Sequence, residues 1–255
     1  MRFDFISKRA NDQNEREEQR IMKVKIRTPY FETGIKCYIY GQDEMDYATL
    51  CEKCAEKYDI DVLFISSYTN IQALAQRFPH LYIIAPYMDN IQPGRGMGMV
   101  LPESLKAAGA HGVVINHCEK PMTLTNINGC VQKCRALDML SFVCADTTEE
   151  AMAVAQFHPD IMNPEPSELI GSGQSADMKY VTDTVRAVKA VDSHILTEIA
   201  AGITKPSDVY KYIMSGSDGA GAASGILKSA NPSQLLDEMV AAVRRAADDL
   251  KTLKK

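Results

Sequence analysis

The chain has 255 residues, 45% of them apolar and 24% charged, with a formal net charge of -5. That is the composition of one large α/β domain or two small ones. It excludes a basic, nucleic-acid-binding surface, and no apolar run approaches the ~20 residues a membrane span needs.

Residues 1–21, "MRFDFISKRANDQNEREEQRI", carry ten charges that cancel, five against five, and lack the continuous apolar core of a signal peptide. They read as a disordered polar extension, with Met22 as an alternative start and residues 22–255 as a single domain. From there, short apolar runs alternate with longer helical patterns. "VKIRT" (24–28) precedes a helix over 43–57. "DVLFIS" (61–66) precedes "NIQALAQRF", and "LYIIAP" (81–86) leads through a long loop to "PESLKAAG". "GVVINH" (112–117) precedes "TNINGCVQKCRAL", and "LSFVCA" (140–145) precedes "TTEEAMAVAQF". "DIMN" (160–163), "HILTEI" (194–199) and "DGAGAA" (218–223) are each followed by a further helical pattern, the last of them "PSQLLDEMVAAVRRAADDL". Eight strand–helix units predict a parallel sheet buried on both faces, closed as a (β/α)8 barrel. An open doubly wound sheet is the competing layout, but no GxGxxG follows the first strand.

Seven cysteines are present, an odd number in mostly apolar or helical contexts. They read as reduced thiols of a cytoplasmic protein. Cys51 and Cys54 have CxxC spacing, but no second pair follows at zinc-site distance, so no metal is expected.

In such a barrel the chemistry stands at the C-terminal strand ends. Read this way, strand 1 offers Lys25 and Arg27, strand 4 offers His117 and Glu119, and strand 6 offers Glu165. Glu165 lies in "MNPEPSELIGSG", where two prolines restrict the carboxylate's backbone and a Gly-Ser-Gly lets the next segment move as a lid. Gly171, Gly202, Ser224 and Gly225 stand on three small-residue loops whose backbone N–H groups can approach a phosphate. A carboxylate opposite an imidazole and a cation suits proton abstraction beside a carbonyl, with no cofactor. Cys118 beside His117 is not expected to form a nucleophilic dyad, because adjacent strand residues point to opposite faces.

The stretches "NHCEKPM", "NPEPSELIGSG", "AAGI" and "AASGILKSANP", with "PGRGMGMVLPESLKAAGAHGVVINH", resemble the triosephosphate isomerase family, closest to its short archaeal-type branch, over about residues 23–245. The resemblance implies the TIM barrel, with Glu165 as base, His117 as electrophile and Glu119 as partner of the strand 1 cation. It also implies Gly171, Gly202, Ser224 and Gly225 as phosphate-binding backbone, and a homodimer or homotetramer. One corner departs. The family's strand 1 carries Asn-x-Lys, which an alignment through "ETG" (32–34) places on Lys25-Ile26-Arg27. Pro86 stands where a Gln or Asn ends strand 3, and Met97-Gly98 stands where a Thr reaches the neighbouring subunit. The function expected is a sugar-phosphate aldose–ketose isomerase; triose, tetrose and pentose phosphates stay open as substrates. The alternative is an inactive phosphosugar-binding protein of the same fold, for which the missing family lysine argues.

Overall fold

The computed structural model describes residues 24–200 and 202–253. The polar segment 1–21 and the alternative start at Met22 lie outside them. Eight parallel strands close into a barrel in sequential order, β1 pairing with β8. They are β1 (Tyr30–Gly34), β2 (Val62–Ile65), β3 (Leu81–Ala85), β4 (Gly112–Ile115), β5 (Leu140–Ala145), β6 (Ile161–Pro164), β7 (Leu196–Ile199) and β8 (Gly219–Gly221). The helices are α1 (Gln42–Tyr58), α2 (Ile71–Arg77), α3 (Pro102–Ala107), α4 (Leu124–Ala136), α5 (Thr148–Ala155), α6 (Met178–Val191), α7 (Pro206–Met214), the one-turn α8 (Ser224–Leu227) and α9 (Pro232–Leu253). The (β/α)8 barrel expected from the alternating pattern is therefore present.

The side-chain period of two sorts each strand into two cores. Leu63, Ile84, Val114, Leu140 and Phe142 point inward and fill the lumen with Tyr30 and Ile161. Phe31, Val62, Phe64, Ile83, Val113 and Val143 point outward and pack under the helices. Both faces are buried, so the strands read as near-continuous apolar runs. Each fully buried Leu, Ile or Phe contributes roughly 1.5–3 kcal/mol of transfer free energy.

Helix starts follow local chemistry. Thr123 and Thr147 accept from the backbone N–H groups of Asn126 and Glu150, at 3.3 and 3.1 Å. The terminal α9 buries Leu236, Met239, Val240, Val243 and Ala247 at helical spacing against α7 and α1. Asp237 of α9 anchors it to α1 through Lys57 Nζ at 2.7 Å and Tyr58 Oη at 2.9 Å. Cys51 and Cys54 are buried side chains of α1.

The first strand differs from its expected position. β1 is "YFETG", every residue buried, and not "VKIRT" (24–28). The alternation of Val24 and Ile26 has another origin: both pack against the lumen core as the chain enters the barrel from below. Arg27 faces away from the lumen and binds Asp59 and Asp61, which precede β2 at the N-terminal end.

Candidate active site

A cavity of about 700 Å³ opens at the C-terminal end of the barrel, within the range of small-molecule sites. Glu165, His117, Glu119, Gly171, Gly202, Ser224 and Gly225 all line it, so the structure brings together seven of the nine residues expected there. Lys25 and Arg27 do not reach it. Their assignment to the site is corrected: both belong to the segment that closes the opposite end of the barrel. Among the described residues, the other four histidines, 80, 111, 158 and 194, also lie away from the cavity.

The cation beside Glu165 and His117 is Lys36, which the sequence reading missed. It follows β1 in a left-handed conformation with φ of 47°, and its ammonium binds Glu119 Oε1 at 2.9 Å. Burial works against the charged amine, but the hydrogen bond it donates to Glu119 and the charges of Glu119 and Glu165 outweigh it and raise its pKa. Burial likewise opposes ionisation of Glu119, and Lys36 overcomes it, so that carboxyl is lowered. The two hold each other charged, Lys36 half-buried and Glu119 exposed at the rim.

His117 is fixed by the turn that ends β4. Asn116 takes φ of 62°, a conformation Asn tolerates better than most residues. Its amide donates to the Cys144 carbonyl at 3.1 Å and its oxygen accepts from the Met122 N–H at 2.8 Å. His117 Nδ1 then accepts the backbone N–H of Glu119 at 3.1 Å. An N–H can only donate, so Nδ1 is unprotonated and the neutral ring carries its proton on Nε2. Burial and the nearby Lys36 charge lower its pKa and keep the ring neutral. Nε2 faces Glu165 Oε2 across 3.9 Å. Cys118 Sγ lies 3.8 Å from Nδ1, so the two side chains meet in the turn after β4 and do not alternate as strand neighbours would. Burial, and then the Glu165 charge, push that thiol up, away from a reactive thiolate.

Glu165 leaves the end of β6, its N–H bonded to the Ala145 carbonyl at 2.7 Å. Its side chain is 12% exposed. Burial raises its pKa to about 7, with Lys36 pulling the other way. Asn163 reaches it at 3.5 Å.

Three loops form the outer wall. Gly202 has φ of 68°, and a Cβ there would lie 1.8 Å from the Gln174 carbonyl oxygen; a Cβ at Gly225 would lie 2.2 Å from that of Ile203. The loops after β6, β7 and β8 thus touch through their backbones, and only glycine permits the contact. Replacing Gly202 with alanine is expected to separate them, lowering stability by at least about 1 kcal/mol, roughly 2–4 °C in Tm. It is also expected to weaken inorganic phosphate binding, measured by calorimetry. Unchanged Tm and affinity would contradict this packing.

The triosephosphate isomerase family model matches residues 34–241. The chain belongs to the triosephosphate isomerase family. The triosephosphate isomerase of Methanothermus fervidus is 34% identical over 203 residues, covering 78% of this chain and 91% of its own. That of Sulfurisphaera tokodaii is 33% identical over 212 residues, 82% and 92% of the two chains. That of Methanobrevibacter smithii is 32% identical over 220 residues, 84% and 99%. These archaeal relatives place the chain with the short branch of the triosephosphate isomerase family. Against the family's Asn-x-Lys, Lys36 supplies the lysine and Gly34 takes the place of the asparagine. The missing lysine, the one ground for an inactive protein, is thereby removed.

Proposed function

We propose that this cavity interconverts an aldose phosphate and a ketose phosphate through an enediolate, without a cofactor. The observation that carries the reading is a buried carboxyl of raised pKa facing the protonated nitrogen of a neutral imidazole, with an ammonium beside them.

The Glu165 carboxylate removes the proton from the carbon beside the carbonyl. The electron pair moves into a C=C bond, and the carbonyl oxygen takes up the negative charge. His117 Nε2–H donates to that oxygen, and Lys36 stabilises the charge electrostatically. Glu119 holds Lys36 in place. Glu165 returns its proton to the neighbouring carbon, and the carbonyl reforms there. Gly171, Gly202, Ser224 and Gly225 offer backbone N–H groups to the phosphate. Gly171 and Gly173, with φ of 72° and 74°, lie on either side of Ser172 in the loop that would close over it.

The base must be ionised, so its pKa sets the acid limb of the rate. In the free protein kcat/KM is expected to rise with pH up to about 7, about tenfold per unit, and then to level. A pH profile centred near the usual carboxylate range, with no limb near 7, would refute Glu165 as the buried base. Met97 and Met99 stand exposed on the loop between β3 and α3 and support the expected homodimer or homotetramer. The odd number of cysteines, most of them buried, supports a cytoplasmic location.

A further inference from the structure

Beneath the rim, the lumen carries carboxyls where apolar side chains fill the rest of the barrel. Glu32 of β1 and Glu198 of β7 both point inward beside Gly221 of β8. A Cβ at Gly221 would lie 2.2 Å from one Glu32 oxygen and 2.7 Å from a Glu198 oxygen. The strand has glycine there because the two carboxyls fill its space. Glu32 is 5% exposed and Glu198 is fully buried. They differ in surroundings: Glu198 lies against the Tyr30 hydroxyl in the closed lumen, whereas Glu32 lines the cavity. Among the described residues no side-chain or backbone group hydrogen-bonds the Glu32 carboxyl. The Asn163 side-chain oxygen, buried on the same cavity wall, also lacks a partner. Buried polar groups without partners cost about 1–3 kcal/mol each, and such groups in a binding cavity await a ligand.

A second observation says what kind. Glu32 lies two residues, roughly 7 Å, down the strand from Gly34. A Cβ at Gly34 would sit 3.4 Å from a Glu32 oxygen. An asparagine there, the family's residue at this place, would lie against the carboxyl and take up its hydrogen-bonding capacity. Pro86, on the same cavity wall, removes a second amide. Glutamate in the floor and glycine at 34 are therefore one change: two amides are lost, and space and a carboxyl are gained.

The oxygens of a triose phosphate are all committed in the mechanism above. Two belong to the enediolate and the others to the phosphate ester. An added carbinol between the reacting pair and the phosphate lengthens the chain and brings a hydroxyl that has no role in the chemistry, one in a tetrose phosphate and two in a pentose phosphate. Burial, and then the charge of Glu165, raise Glu32 to about 8, so at neutral pH the carboxyl both donates and accepts, as a hydroxyl requires.

We propose that Glu32 is a specificity-determining residue that hydrogen-bonds a substrate hydroxyl absent from triose phosphates, and that the substrate is a phosphorylated sugar of four or five carbons. This rests on the isomerase reading above. The test is kcat/KM of the full chain with dihydroxyacetone phosphate, erythrose 4-phosphate and ribose 5-phosphate, for the native protein, Glu32→Ala and Glu32→Gln. The expected result is a native preference for one of the longer sugars. The ratio of its kcat/KM to that of the triose should fall about tenfold or more in Glu32→Ala, and less in Glu32→Gln, which keeps the volume and a hydrogen-bonding end. A native preference for the triose, or a ratio unmoved by Glu32→Ala, overturns the proposal and leaves the isomerase standing. Conversion of none of the three sugars overturns the isomerase reading and this one with it.

Discussion

Replacing Glu165 with glutamine is expected to lower kcat by about 10²–10⁴-fold. The amide keeps the shape of the carboxyl and cannot take up a proton. The loss should fall on kcat rather than KM, because the base acts as the proton moves and adds little to ground-state binding. Inorganic phosphate should still bind with its native affinity, since the loops carrying Gly202 and Gly225 are held by their own backbone contacts. Steady-state kinetics and calorimetry check the two halves. Native turnover by the Glu165→Gln protein would remove the proposed base.

Replacing Lys36 with alanine is expected to cost about 10²–10³-fold in kcat/KM, the size of losing one preorganised charge at a developing oxyanion. Two further effects follow from its neighbours. Glu119 loses the partner that keeps it ionised, at 2.9 Å. Glu165 loses the charge that opposes its burial, so its pKa rises further and the acid limb of the rate profile moves to higher pH. The direction of that movement separates an electrostatic role from simple unfolding. Arg27→Ala is the contrast. Its guanidinium is 61% exposed and pairs with Asp59 and Asp61 at the far end of the barrel. The pair with Asp59 is exposed on both sides, but Asp61 is only 6% exposed. Losing its cation should therefore cost stability, about 1–3 kcal/mol, while kcat/KM of the folded protein stays within about twofold of native. Loss of activity in Arg27→Ala with retention in Lys36→Ala would reverse the assignment of the cation.

The contrast also shows where the sequence was legible. Strands β2 to β8 are short and mostly apolar, with Glu198 of β7 the inward carboxyl among them, and the chain alternates them with amphipathic helices, so pattern places them. Glu165, His117 and the three glycine loops stand at strand ends, where residue type and fold position agree. Strand β1 fails for a physical reason. Its inward position 32 is a glutamate, which breaks the apolar run, while Val24 and Ile26 ahead of it alternate like a strand because they plug the barrel's lower end. The misplaced strand carried the expected cation with it, from Lys36 to Lys25 and Arg27. The signal that would have found Lys36 is its place two residues beyond the end of β1. Glu32 and Glu198 leave a fainter trace: a carboxyl inside "YFETG" and another inside "LTEI", readable only once both strands are known to face a lumen. Asn116 is legible as a residue at the end of strand 4, but its work is not, because that depends on the turn it makes.

Glu165 is proposed to move a proton between adjacent carbons of a phosphorylated sugar, and proton NMR in D2O with sugar phosphates of three to five carbons reads that step. The native protein should place deuterium at the carbon beside the carbonyl, together with aldose–ketose conversion, and Glu165→Gln should lose both. Conversion without solvent deuterium in native protein, or undiminished exchange in Glu165→Gln, would rule out that role.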